Sequence, residues 1–306
     1  MGRILVIRGG AIGDFILTLP ALAALREAFP TAGLDVLGYP HIARLATAGG
    51  LADEVHAIEA RPLAGFFARN GALDERQAEF FRRYAVIVSY LFDPDGTFAA
   101  NVRRAGAKAQ FLPAPHRPEE RPDRHAAEVF LEPLQRLAIF DAPAVPRLSV
   151  PPAAEEALPG GPWLALHPGS GSENKNWPEA RWAALLGLLL ARTRWNLLLV
   201  GGEAEGGRLE RLAASGGGRV KLARARPLDE LAGLLARCVA FAGHDSGITH
   251  LAAALGRPCV VLWGPTLRPV WQPLGDQVFV LQHDAGLHSL GPASVLQALA
   301  GCVREP

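Results

Sequence analysis

The sequence predicts an α/β protein made of two doubly wound parallel-sheet domains facing an interdomain cleft. Three observations lead there. Apolar runs of strand length alternate with stretches of helical periodicity. The alternation begins at the N-terminus, breaks in a proline-rich passage at 142–161, and starts again. The chain has 306 residues, which suits about two domains of roughly 150 residues each. The expected domains are 1–152 and 153–306.

The first half opens with Arg3–Arg8 (RILVIR), a continuous apolar run expected of a strand buried on both faces. GGAIGD follows, then FILTLPALAALREAF with Leu19, Leu22 and Leu25 at helical spacing. Pro20 should kink or restart that helix, and Pro30 stops it. Further strands are expected at 34–38, 54–58, 84–90 and 109–112. Helices are expected at 41–48, 76–82, 98–104 and 125–137. In the second half strands are expected at 163–167, 195–200, 219–222, 239–242, 259–263 and 278–281. The helices between and after them are 178–192, with Pro178 in the first turn, 205–214, 228–237, 246–255 and 292–302.

Composition excludes several classes. Basic and acidic residues number 31 and 30, a net charge of +1, which argues against a general nucleic-acid binder while allowing a local basic patch. With 49% hydrophobic and 20% charged residues, wholesale disorder is excluded. Cys238, Cys259 and Cys302 form no CxxC pair and read as reduced, buried thiols of a cytosolic protein. The N-terminus lacks the long apolar core of a signal peptide. The purest apolar stretch nearby, 183–191, is about half the length a bilayer needs. The expectation is a soluble protein that at most touches a membrane from the cytosolic side. Only three basic residues are lysines, Lys108, Lys175 and Lys221, so a lysine in a polar loop is informative.

In doubly wound sheets ligands sit beyond the carboxyl ends of the strands, and four loops fall there. GGAIGD, with Gly10 and Gly13, fails the dinucleotide fingerprint because Arg8 stands where the first glycine belongs. It is a tight turn presenting Asp14 at a helix N-terminus, as a cap or as a general base. HPGSGSENKNWP can turn backbone N–H groups of Gly169, Ser170, Gly171 and Ser172 toward an anion. Lys175 adds a point charge, and a solvated loop is the alternative. VGGEAEGG, with Gly202, offers Glu203 or Glu205 to a ribose or to the next helix as a cap. GHDSGITHLAAALGRP can cap a helix with Asp245 or Ser246. Gly247 in its first turn lets a phosphate approach the N–H groups and the helix dipole. His250 follows Ser246 by four residues on the same helix face. Trp263-Gly264-Pro265-Thr266 ends the next strand.

Two other features invite a function. Asp93-Pro94-Asp95 looks like a metal- and nucleotide-binding D-x-D, but it falls in the first domain and reads better as a turn. Arg103, Arg104, Arg117, Arg121 and Arg124 form a basic run, either a solvated face or a dock for an anionic acceptor.

Four blocks in this order, GGAIGDFILTLPALAALR, HPGSGSENKNWPEARW, VGGEAEGGR and AGHDSGITHLAAALGRPCVVLWGPT, are similar to the heptosyltransferase family of bacterial glycosyltransferases, glycosyltransferase family 9. The resemblance spans nearly the whole chain. It implies the GT-B architecture: two Rossmann-like domains, acceptor side first and nucleotide-sugar side second. It implies ADP-heptose or a similar nucleotide sugar as donor, inversion at the anomeric carbon, no cofactor and no obligatory metal. The implied acceptor is the lipopolysaccharide core or another glycan or glycolipid, with peripheral contact at the inner membrane. Asp14 matches the family's base and Lys175 the lysine at the donor phosphates. Glu205 matches the acid near the ribose. Asp245, Ser246 and Gly247 match donor contacts, and His250 a motif histidine. Ser170 and Thr266 lie within the matching blocks and are expected at the donor's phosphates and sugar. Two stretches depart from the family pattern: Ser89–Asp93, and Leu267-Arg268-Pro269 after Thr266. An epimerase-like nucleotide-sugar enzyme and a non-catalytic nucleotide-sugar-binding homologue fit the same loops.

Overall fold

The computed structural model describes residues 2–303 apart from 122, 203, 204, 206 and 215. The chain divides into two compact units, Met1–Val145 and Pro146–Pro306. The division lies within the proline-rich passage. Residues after it already bond to the second unit: Leu148 N–H donates to the Ala254 carbonyl and Ala153 N–H to that of Gly233, both at 2.8 Å.

The first unit runs β1 (Arg3–Arg8), α1 (Ile12–Ile16), α2 (Leu19–Ala28), β2 (Gly33–Gly38), α3 (Pro40–Ala48), β3 (Glu54–Ala57), α4 (Glu75–Arg82), β4 (Tyr84–Ser89), α5 (Thr97–Arg104), β5 (Gln110–Pro113) and α6 (Ala126–Leu131). Its five strands are parallel in the order β3-β2-β1-β4-β5. Apolar β1 takes the centre because both its faces must be covered. Leu5 and Ile7 are fully buried with Phe66, Phe81 and Phe98. Pro20 falls in the first turn of α2 and separates it from α1, as the sequence predicts. The helix expected over 125–137 stops being α-helical at Leu131. Pro133 has no N–H for an α-helical bond, and Glu132–Leu137 continues as a 3₁₀ turn.

The second unit runs β6 (Trp163–His167), α7 (Glu179–Arg192), β7 (Asn196–Gly201), α8 (Arg208–Ala213), β8 (Val220–Arg224), α9 (Leu228–Arg237), β9 (Ala240–His244), α10 (Gly247–Ala254), β10 (Cys259–Leu262), α11 (Arg268–Trp271), β11 (Val278–Leu281) and α12 (Pro292–Cys302). The strands are parallel in the order β11-β10-β9-β6-β7-β8. Trp182, Leu185, Leu186 and Leu189 of α7 pack with Leu299 of α12 over β6 and β7. Pro178 is the residue before α7 rather than part of its first turn. α8 begins at Arg208 instead of 205, because the Glu205 carboxylate turns back to the Gly202 N–H.

Both sheets reverse strand order at their first strand, between β1 and β4 and between β6 and β9. Such switch points open crevices at the carboxyl ends of the strands. Cys238 and Cys259 are buried and Cys302 is half-buried, all free; burial pushes the Cys238 thiol up to about 12. No described helix is long and apolar enough to cross a membrane.

Candidate functional site

The rim of the second sheet gathers most of the residues expected there. Just past the end of β6 the loop turns on Ser170, whose hydroxyl donates to the Ser172 carbonyl at 2.7 Å and accepts from the Ser172 N–H. Ser170 therefore shapes the loop. A short 3₁₀ turn, Glu173–Lys175, carries the lysine. Lys175 Nζ donates to Asp245 Oδ2 at 2.6 Å; the lysine side chain is 31% exposed and the aspartate 7%. Asp245 is thus the lysine's ion-pair partner, and the helix cap is Ser246. Its hydroxyl accepts from the Thr249 N–H, opening α10 with Gly247 as the first residue. The earlier N–H groups of that turn face the end of the helix, where the dipole is positive. His250 is buried one turn into α10.

Glu205 follows β7. Its Oε2 accepts from the Gly202 N–H at 2.6 Å, and its Oε1 lies 3.5 Å from His167 Nε2. Burial works against its charge, but the His167 hydrogen bond and the Gly202 N–H hold its carboxyl below the usual range. Gly169 explains how the carboxylate fits: a Cβ there would stand 1.9 Å from Glu205 Oε1. Glu203 lies outside the described residues. Thr266 ends the segment after β10, where its carbonyl accepts from Trp263 Nε1 at 2.8 Å. Neighbouring Gly264 lies against the Lys175 backbone.

Two residues that sequence reasoning missed hold this rim together. His244, the last residue of β9, accepts the Trp177 N–H on Nε2 at 2.8 Å. Its Nδ1 lies 3.1 Å from the Gly169 carbonyl, so Nδ1 carries the proton. Burial pushes its pKa down to about 4, the Gly169 bond opposing, so it is a neutral latch between the 168–177 loop and β9. His167, the last residue of β6, lies between Glu205 and Ser246 Oγ, 3.2 Å from the latter.

The rim of the first sheet is sparer. Gly10 adopts φ +97°, a conformation open to glycine, and lets the chain turn from β1 into α1. Gly13 continues α1, its carbonyl accepting from Leu17 N–H. Asp14 Oδ2 accepts from the Ala11 N–H at 3.1 Å, so the capping reading holds in this structure. The carboxylate also stays 28% exposed, with Oδ1 3.8 Å from Arg8 Nη2. Arg8 is the third missed residue. Its guanidinium lies 4.5 Å from the Phe130 ring centre and donates to the carbonyls of His116 (2.8 Å) and Asp14 (3.2 Å). Arg8, His167 and His244 share one signal: each is a titratable residue closing an apolar strand run at its carboxyl end, and each is under 5% exposed.

The other candidates resolve locally. Asp93 caps α5 through the Phe98 and Ala99 N–H groups, and Gly96 N–H closes a turn on its carbonyl. The D-P-D segment is a turn. Arg117, Arg121 and Arg124 pair with Glu120, Glu119 and Glu132 at 2.5–3.0 Å, which neutralises most of the basic run. Arg103, whose guanidinium lies 5.9 Å from the Phe111 ring centre, lines a cavity of about 440 Å³ with Phe92, Asp93 and His116. Among the described residues one group has metal-like spacing, Asp35, Glu54 and His56. Arg3 and the Tyr84 hydroxyl already occupy the Asp35 carboxylate at 2.6 and 2.7 Å. It lies toward the amino ends of β1, β2 and β3, opposite the rim.

Two parallel-sheet units, one with an anion- and ribose-compatible rim and one presenting a carboxylate at a glycine turn, have the architecture of the GT-B class. Residues 145–295 match the model of glycosyltransferase family 9 (heptosyltransferase). Lipopolysaccharide heptosyltransferase 1 of Salmonella typhimurium is 27% identical over 290 residues, 86% of this chain and 89% of its own. Lipopolysaccharide heptosyltransferase 1 of Pseudomonas aeruginosa is 39% identical over 115 residues, 36% of this chain and 31% of its own. Solved structures share the fold: a family 9 glycosyl transferase from Veillonella parvula has a TM-score of 0.80 at 17% identity, covering 99% and 97% of the two chains. E. coli ADP-heptose lps heptosyltransferase II has a TM-score of 0.77 at 20% identity, covering 98% of each. The family 9 match lies in the second unit, and along most of its length the chain is similar to heptosyltransferases, which makes it a glycosyltransferase.

Proposed function

We propose that this enzyme transfers a heptose-like sugar, with inversion, from a nucleoside diphosphate donor to a hydroxyl of a lipopolysaccharide-core or similar glycan acceptor. The donor expected is ADP-heptose, which the E. coli relative's name prints. The observation that carries this reading is the convergence of Lys175, Ser246, Gly247 and Glu205 on one sheet rim. A diphosphate suits the lysine and the first turn of α10, and vicinal ribose hydroxyls suit the Glu205 carboxylate.

The reaction is a single displacement. Asp14 takes the acceptor proton as that oxygen attacks the anomeric carbon, and the bond to the diphosphate breaks. Charge develops on the leaving diphosphate, where Lys175 and the N–H groups near Ser246 and Gly247 stabilise it. Stabilisation that grows in the transition state accelerates the step. Lys175 reaches phosphate by exchanging its contact with Asp245. Asp245 is then available to a sugar hydroxyl. His250 and Thr266 complete the donor side. The cations in this scheme are the protein's own, and it uses no cofactor besides the donor. A glycolipid acceptor would bring the enzyme to the cytosolic face of a membrane as a peripheral visitor.

The test is incubation with ADP-heptose and a deacylated core acceptor, read by mass spectrometry. A product heavier than the acceptor by one heptosyl residue, of inverted anomeric configuration, is expected. Donor turnover without acceptor, or no thermal shift with any ADP-, GDP-, UDP- or dTDP-sugar, would falsify the proposal.

A further inference from the structure

β6 lies between β9 and β7 in the second sheet. Its last residue is therefore placed to reach the loops that follow both neighbours. That residue is His167, 4% exposed. Nε2 lies 3.5 Å from Glu205 Oε1, on the loop after β7. Nδ1 lies 3.2 Å from Ser246 Oγ, which caps the helix after β9. Nε2 faces a carboxylate that can only accept, and Nδ1 shares a hydrogen bond with the serine hydroxyl, so the two edges of one ring serve two loops.

We propose that His167 is a positioning residue that locks the ribose-side carboxylate and the phosphate-side helix cap into one piece, so that the nucleoside and the diphosphate are recognised together. This rests on the donor assignment above. The residue acts through Glu205 and Ser246. Gly169 reinforces the arrangement, because its missing side chain lets the Glu205 carboxylate pack beside the loop that leaves His167.

Two amide substitutions separate the two edges of the ring. In His167→Gln the amide end reaches the place of Nε2; in His167→Asn it reaches the place of Nδ1. Calorimetry with ADP, 2′-deoxy-ADP and AMP reads the two ends of the donor. The wild type should bind ADP about tenfold more tightly than either analogue, as expected for one hydrogen bond to a charged group. His167→Gln should keep the preference over 2′-deoxy-ADP and lose that over AMP. His167→Asn should do the reverse. In both, donor KM should rise more than kcat falls. Both preferences retained in both variants, or both lost in both, would overturn the proposal. If either variant does not fold, the pair Glu205→Gln and Ser246→Ala replaces it. Non-additive losses of ADP affinity support the bridge, and additive losses overturn it. A wild type that binds no nucleoside diphosphate sinks the donor assignment instead. Ligand-free ¹⁵N NMR then decides the bridge: Glu205→Gln should move the His167 Nε2 signal and Ser246→Ala the Nδ1 signal, and two unmoved signals overturn it.

Discussion

Each sheet rim sets a cation beside a carboxylate, and the two pairs are held in opposite ways. In the second unit Lys175 and Asp245 touch at 2.6 Å on a lysine that remains 31% exposed. In the first, Arg8 is 2% exposed and 3.8 Å from Asp14, with donors given to two backbone carbonyls. A lysine is a point charge on a flexible stem, able to exchange one anion for another. An arginine laid on Phe130 and bonded through both ends of its fork is fixed. Two sheets that share the order of their first five strands therefore carry a movable cation in one unit and a rigid one in the other. That difference accords with the roles proposed above, an exchangeable anion at Lys175 and a base at Asp14.

The largest test of this contrast is Asp14→Asn. Transfer should fall by about 10²–10⁴-fold, the usual contribution of a general base, while ADP binding by calorimetry stays at the wild-type value. Near-normal turnover would leave Asp14 as a cap alone. Lys175→Ala should reduce both donor affinity and turnover by about 10- to 100-fold, the loss of a charge-assisted hydrogen bond. Unchanged ADP affinity would show that the exposed lysine does not exchange Asp245 for phosphate. Gly169→Ala should weaken ADP binding by about tenfold, because the new Cβ would collide with Glu205; tight ADP binding in a folded variant would place the ribose elsewhere.

The smallest effect on turnover at neutral pH, but the one that separates the units, is acid stability. Folded His244 stays neutral down to about 4, whereas the unfolded side chain takes its proton near 6.5. The unfolded state binds more protons in that interval, so the second unit should lose stability as pH falls from about 6.5 to 4. In the first unit the Asp35 carboxyl is held at about 2 against 3.8. Its burial is outweighed by the imidazole of His56, 3.9 Å away, and by hydrogen bonds from Arg3 and Tyr84. Stability from Asp35 is present above 3.8 and fades as pH falls toward 2. All six tryptophans lie in the second unit and all three tyrosines in the first, so fluorescence and tyrosine absorbance report the two units separately. A decline of roughly 5–10 °C in the tryptophan melt across the upper interval is expected, flattened by His244→Asn. Coincident loss of both signals at every pH would remove the distinction.

Much of this was legible before any coordinates. Pro20 splitting α1 from α2, the switch from strand to loop after RILVIR, and the paired rims all follow from local pattern. Asp14, Lys175, Glu205 and Ser246 stand in loops whose glycines mark close backbone approaches. What sequence reading assigned less well were partners. Asp245 read as a cap or a sugar contact; the cap is Ser246, and the structure adds an ion pair to Lys175 that the sequence did not indicate. Ser170 read as a ligand contact, and the structure adds that it closes its own loop through Ser172. The basic run from Arg117 to Arg124 read as a solvated face or an anion dock, and acidic neighbours pair with it at the surface.

The sequence by itself determined the alternation of strands and helices and the glycine turns at the strand ends, because apolar periodicity and backbone sterics act over a few residues. Only the tertiary structure decided which side chains meet. Arg8 bonds to a residue 108 positions away, His167 to Ser246 across 79, and Lys175 to Asp245 across 70. Contacts of that span are set by which strands lie side by side in the sheet, and no local preference in the chain encodes them.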